Sequence, residues 1–363
     1  MKFTGFNLEQ KRTLIFTFIL YVVAGSLFMI YCGMMLYNDR LHARDSWDDY
    51  LSDAPEQAAV AAGRAKNATQ VTVGTYVENL REINLKSSFY RVEFEMWFMW
   101  EGDPGLDLAN NFRVYKGIVN SKHILREFHE DGKNYQLVSV DASVSKRFVT
   151  RRFPLESHQL RFYVEANYPI EDVVFVADKE NSGLNRNITL TGYDFARHNV
   201  GTVSFLYDTT HGYPGITDRI MSSEIVTAME INRASYGLFF KCFIALAGTL
   251  LWALIALFIC IYHHVDPLGM LPGALFGAVG NIMVGASLLP DALETGLLEY
   301  VNIWGILIIM GVTIAIININ RLRKNQNEGK EFVHFYGRSM FYTVLTFTII
   351  GMFLFPLISY SRM

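Results

Sequence analysis

LIFTFILYVVAGSLFMIYCGMMLY, residues Leu14 to Tyr37, runs for about 24 residues without a charged side chain. As a helix, that length crosses the roughly 30 Å hydrocarbon layer of a bilayer. Four more apolar stretches crowd the last third of the chain, at Leu238 to Tyr262, Leu268 to Leu289, Leu297 to Ile319 and Met340 to Tyr360. The sequence therefore predicts a membrane protein with five spans. It divides into a cytoplasmic N-terminus over 1–13, an N-terminal anchor over 14–37, a helical and polar connector over 38–70, a β domain over 71–236 and a four-helix membrane domain over 237–363. A signal peptide is the rival reading of the first span. Its apolar run exceeds the roughly 7 to 15 residues of a signal core, and no small-x-small cleavage site precedes Asn38.

Basic residues near span ends mark cytoplasmic flanks. Lys2, Lys11 and Arg12 put the N-terminus inside, and Arg321, Arg323, Lys324, Lys330 and Arg338 do the same for the segment before the last span. The loop before the third late span offers only Asp291 and Glu294. The large domain between the first and second spans is then external, and the turn from Tyr262 to Pro267 is internal. All three cysteines, Cys32, Cys242 and Cys260, fall within spans, so no disulfide staples the external domain. That fits a bacterial inner membrane with a periplasmic domain.

Within the connector, Asp53 can cap a helix that has Pro55 in its first turn. From Val71 the pattern changes to alternation. Val92, Phe94, Met96, Phe98 and Trp100 share one face of a strand, opposite Arg91, Glu93, Glu95 and Trp97; Leu160, Phe162 and Val164 repeat the pattern. Roughly nine or ten such segments separated by turn residues predict an antiparallel β-sandwich. No phosphate loop, nucleophile elbow, His-Glu-x-x-His or Cys-x-x-Cys spacing is present, so the sequence reads as a non-enzyme with no cofactor. Adjacent His263 and His264 sit in a turn where solvation accounts for them, and Asn67-Ala-Thr69 and Asn187-Ile-Thr189 match a glycosylation pattern short enough to arise by chance.

Four stretches, in order, carry a resemblance. The segment Val73 to Asp103 contains Tyr76-Val-Glu-Asn79, Ile83, Phe89 to Phe94 and Trp97-Phe-Met-Trp-Glu-Gly-Asp103. It is followed by Arg152-Phe-Pro-Leu-Glu-Ser-His-Gln-Leu160, by Glu230-Ile-Asn-Arg-Ala-Ser-Tyr236, and by Asn281 to Pro290 ahead of another span. Their order and topology resemble the pentameric ligand-gated ion channels of the Cys-loop receptor superfamily, in particular the prokaryotic branch. This chain departs in lacking a proline midway along the first channel helix and the loop cysteines, in having Glu156 where the usual residue is Asp, and in carrying an extra N-terminal span.

The resemblance implies a homopentamer, gated by a periplasmic stimulus, whose second late span lines a pore. It places Arg233 at the pre-membrane arginine and Phe153, Pro154 and Glu156 in the coupling loop. Ligands are then expected at interfaces between neighbouring external domains, with Tyr168, Tyr207 and Tyr213 as candidates. Asp266 at the start of the pore helix would become a ring of acids favouring cations, although an Asp before Pro267 is equally a helix cap. Gly269, Gly273 and Gly277 form a small-residue packing stripe. Leu268, Pro272, Leu275, Val279 and Ile282 form the apolar face expected at the axis. Aligning on Asn281 makes Leu275 the gate, which the stripe prefers; aligning on Pro290 shifts the frame to Phe276. The expected partners are copies of itself, lipids, inorganic ions and an unidentified small ligand, with no nucleic acid. The alternative function is a non-conducting binding or scaffold protein on the same fold.

Overall fold

Strand β2 (Phe89–Glu101) alternates in burial at every residue from Phe89 to Trp100, and Tyr90, Val92, Phe94, Met96, Phe98 and Trp100 all point into a core. This is the half-buried strand that alternation predicts. The structure is a computed structural model, and it describes residues 6–45, 47, 49–212, 218–289, 295–325 and 329–360. The chain divides into two compact units. One holds the N-terminal helix α1 (Leu8–Asp45) as far as Leu41, the loop Val149–Glu156 and everything described from Ser235 on; the other holds His42 to Phe148 and Ser157 to Ala234.

The second unit is a β-sandwich. Its first sheet has the order β4-β5-β2-β1-β7, with β8 (Gly183–Leu184) also paired to β1. These strands are β1 (Thr69–Asn84), β4 (Gly117–Glu130), β5 (Lys133–Ser145) and β7 (Val173–Ala177) about the central β2. The other sheet has the order β3-β6-β10-β9, formed by Phe112–Val114, Ser157–Pro169, Met221–Arg233 and Tyr193–Leu206 respectively. Neighbours pair antiparallel except β1 with β7 and β8. The sheets meet through stacked Phe94 and Phe162, whose ring centroids are 4.4 Å apart, and through a 2.7 Å hydroxyl contact between Thr75 and Thr227. That pairing satisfies both buried hydroxyls.

Strand β10 departs from alternation, since it is buried from Met221 to Ile231 on both faces. Ile225, Met229 and Ile231 belong to the sandwich core. The opposite face, which carries Glu224, Val226 and Ala228, is covered as well. The connector supplies cover on this sheet: Ser52 bridges Thr202, Asp53 accepts from the Ser204 amide at 2.8 Å, and the Gln57 amide donates to the Ser204 carbonyl. Helix α2 (Pro55–Arg64) follows, with Ala54 at its cap position; Asp53 spends its carboxylate on Ser204 instead of capping. Gly201 permits this contact, because a Cβ there would lie 2.0 Å from the Leu51 carbonyl oxygen. Gly201→Ala should therefore push the connector off β9, at a cost of about 1–3 kcal/mol. A lower melting temperature with new protease cleavage between Ser52 and Gln57 is the expected result; parental values for both would show that the connector does not need this approach.

The helical unit contains α1 (Leu8–Asp45), α3 (Gly237–Tyr262), α4 (Leu271–Leu288) after a 3-10 turn at Leu268–Met270, α5 (Leu297–Lys324) and α6 (Lys330–Ser359). Among the described residues, five helices are long and apolar enough to cross a membrane. The protein thus combines a β-sandwich with apolar helices suited to a membrane. Helices α5 and α6 extend past the apolar stretches read from the sequence, because helix geometry continues into the charged segments at Arg321 to Lys324 and Lys330 to Ser339. Helix α1 lies against α5 and α6: Phe28 stacks on Trp304 at 5.7 Å, and the Tyr21 hydroxyl donates to the Gly311 carbonyl at 2.5 Å. Between α4 and α5, the Asn281 amide donates to Asn302 at 2.7 Å, and Asn302 donates on to the Leu298 carbonyl at 2.9 Å. This buried polar pair fixes the rotation of α4 about its axis, since either side chain turned toward lipid would lose its partner.

Candidate functional sites

With Asn281 turned inward, α4 buries Leu271, Ala274, Ala278 and Gly285 against its own bundle. A Cβ on Gly277 would lie 2.2 Å from Thr249 of α3, so this glycine sits at a close approach; Gly269 and Gly273 have no described neighbour within 4 Å. The stripe expected from the sequence lies on a flank. Leu275, Val279 and Ile282 are 42%, 43% and 38% exposed, and Pro272 is exposed while Leu268 is half-buried. Phe276 and Met283, at 79% and 70%, point most directly away from the bundle. Gly273, Gly280 and Ser287 complete that outward face at steps of three and four residues. Pro290, on which the Phe276 register depends, lies outside the described residues, as do Asp291 and Glu294. Asp266 is exposed, and its Oδ1 accepts from the Leu268 amide at 3.2 Å, one residue ahead of Pro267, which holds the cap position of the 3-10 turn.

The loop Val149–Glu156 belongs to the helical unit. Phe153, Pro154 and Glu156 are all buried there, with a cis peptide bond between Phe153 and Pro154. Sequence reasoning missed the residue beside them. Arg152 is buried and its Nε lies 3.2 Å from Oδ2 of Asp39, on the N-terminal helix, while Arg151 reaches Oδ1 of the same carboxylate at 3.6 Å. The Arg151 carbonyl accepts from the Leu297 amide at 2.6 Å, which ties the loop to the first turn of α5. Burial pulls the Arg152 guanidinium below the usual arginine range, and Asp39 and Glu156 oppose that shift. An aspartate at the end of an apolar helix next to a loop rich in arginine was the available signal.

Within the β unit, Arg233 lies over the Tyr193 ring, 4.1 Å from its centroid. Tyr168 is half-buried and accepts from Asn111 at 3.1 Å. Tyr213 falls outside the described residues. Tyr207 enters a network that the sequence did not announce: its hydroxyl lies 2.8 Å from both oxygens of Glu165, and Arg113 grips the same carboxylate at 2.8 and 2.9 Å. Burial and Glu165 raise the Tyr207 hydroxyl well above the ordinary phenol range. The register explains the cluster, because Arg113, Glu165 and Glu224 are successive cross-strand partners on β3, β6 and β10. Among the described residues, no group of three or more His, Cys, Asp or Glu is placed to hold a metal.

A scan against protein-family models and a search of curated proteins find no match to this chain.

Proposed function

We propose that the protein is a homopentameric, cation-selective ion channel of the pentameric ligand-gated type, seated in a bacterial inner membrane with its β-sandwich in the periplasm. The outward face of α4 carries this reading. A single helix cannot enclose a pathway, but five copies around an axis can, and the residues turned away from the bundle then line it. That face favours the register with Phe276 at the apolar constriction over the one with Leu275, since Phe276 is the more fully turned out. Asp266, exposed near the start of this segment, becomes a ring of five acids at one mouth. Strand β4 supports self-association: Ile118, Ile124, Leu125 and Phe128 are exposed along the edge of its sheet, a surface that soluble monomers avoid.

In this reading a ligand acts by binding the closed and open states with different affinity. Tyr168 and Tyr207 stand as residues for a site at the interface between protomers. Arg233 and the loop containing Phe153, Pro154 and Glu156 stand as the coupling elements, and lipids and inorganic ions are the other partners. A second reading has one observation in its favour. From Gly273 to Met283 the outward face of α4 carries no hydroxyl or charge, which suits a membrane-anchored scaffold that does not conduct. Native mass spectrometry in mild detergent should show a closed five-membered ring; monomers and dimers alone would contradict both the stoichiometry and the pore.

A further inference from the structure

We propose that each protomer holds a binding site for a small organic monoammonium ion, in the cavity between the connector and the β3-β6-β10-β9 sheet, with Glu224 as the residue that receives the charge. The cavity, about 510 Å³, is lined by Tyr50 and Asp53 of the connector, Tyr163 of β6, Tyr115, Phe205 of β9 and Glu224 of β10. It lies within one β unit and does not depend on conduction or on how many copies assemble.

Glu224 is the observation that points to a ligand. It is only 2% exposed, it lines the cavity, and its Oε1 has no hydrogen-bond partner. A buried carboxyl oxygen left without a partner costs free energy whether the group is neutral or ionised, and most when it is ionised, unless a charge or a hydrogen-bonding group meets it. Glu165, opposite it on β6, does not leave a cation over, because both Glu165 oxygens already take Arg113 and Tyr207. Asp53 is engaged by the Ser204 amide. The two cations of the cavity wall are also engaged. The Arg161 guanidinium lies 4.1 Å from the Tyr50 ring centroid and donates to Gln159 and to the Trp47 carbonyl, and the Lys116 ammonium lies 5.1 Å from the Tyr115 centroid.

Counting Asp49, Asp53 and Glu224 against Lys116 and Arg161, the lining carries one excess negative charge when Glu224 is ionised. A monocation balances it. Tyr115 packs against Phe205 at 5.2 Å and against Tyr163 at 6.4 Å, which supplies aromatic surface for an apolar group beside the ammonium. Burial, then the neighbouring Glu165 and Asp53, push the empty Glu224 carboxyl up to about 8, with Arg113 opposing. The empty carboxyl is thus mainly protonated at neutral pH. An ammonium that binds the carboxylate releases that proton, so affinity rises with pH up to the titration of the empty site.

The test is calorimetric titration of the full chain in detergent with benzylammonium and with benzyl alcohol, its neutral counterpart. We expect saturable binding of benzylammonium, at least about tenfold weaker binding of the alcohol, and at least about tenfold loss in Glu224→Gln. The wild-type affinity should climb about tenfold per pH unit from about pH 6 toward pH 8, with proton release that Glu224→Gln abolishes. Ala54→Trp, which fills the cavity from the exposed connector, should remove binding, and it decides the matter if Glu224→Gln fails to assemble. Equal binding of the neutral alcohol, no saturable benzylammonium binding at millimolar concentration, or affinity unchanged in the variants would overturn the site.

Discussion

Arg152→Ala is expected to destabilise the helical unit by about 3–5 kcal/mol, because it removes the buried cation beside Asp39 and leaves a carboxylate in a poorly solvated place. The consequence reaches beyond one pair. The loop that carries Arg152 also holds the first turn of α5 through the Arg151 carbonyl, and the close approach of Gly296 to the Arg151 backbone, 2.3 Å from a Cβ built there to the carbonyl oxygen, leaves little room for a shifted loop. We expect poor yield of assembled protein and a melting temperature well below the parent. Arg152→Lys should fall between them, since the charge survives but the planar donor set does not. Asp39→Asn together with Arg152→Met should recover part of the loss, because a neutral pair removes the buried charge that Arg152 balanced. If Arg152→Ala melts like the parent, the ion pair does not hold the loop to α1.

Much of the architecture was legible because it is written in local periodicity. The uncharged run from Leu14 to Tyr37 and the strict alternation of β2 each depend on one element and its solvent. The connector was not legible as a cover for the second sheet. Nothing near Leu51 announces that its carbonyl will sit over Gly201, and nothing near Ser222, Glu224 and Glu230 of β10 announces that they are buried, because what covers them is distant in sequence. The same limit hid the buried glutamates. Glu165 and Glu224 become neighbours only through strand register, and Arg113 reaches Glu165 from a strand three residues long. In the helical unit, the resemblance left two registers of α4 one residue apart, Leu275 on Asn281 and Phe276 on Pro290, and the apolar spacing preferred Leu275. The rotation of α4 that turns Phe276 outward is set by the buried Asn281–Asn302 pair, and that contact lies between helices.

The second large effect belongs to α4. If Phe276 forms the constriction, five rings in a narrow apolar segment exclude water, and an ion cannot cross without its hydration. Phe276→Ser would rewet that segment and raise basal open probability by about tenfold or more. Leu275→Ser, on the flank of the helix, should alter packing between neighbours and conduct near the parental level. The opposite ranking would return the gate to Leu275. Single-channel recording in planar bilayers, comparing the parent, Phe276→Ser and Leu275→Ser, decides whether the protein conducts and where its gate lies. Discrete cation-selective openings, rare in the parent and frequent in Phe276→Ser, are the expected result; silence from all three correctly assembled proteins would contradict a channel and favour the non-conducting scaffold.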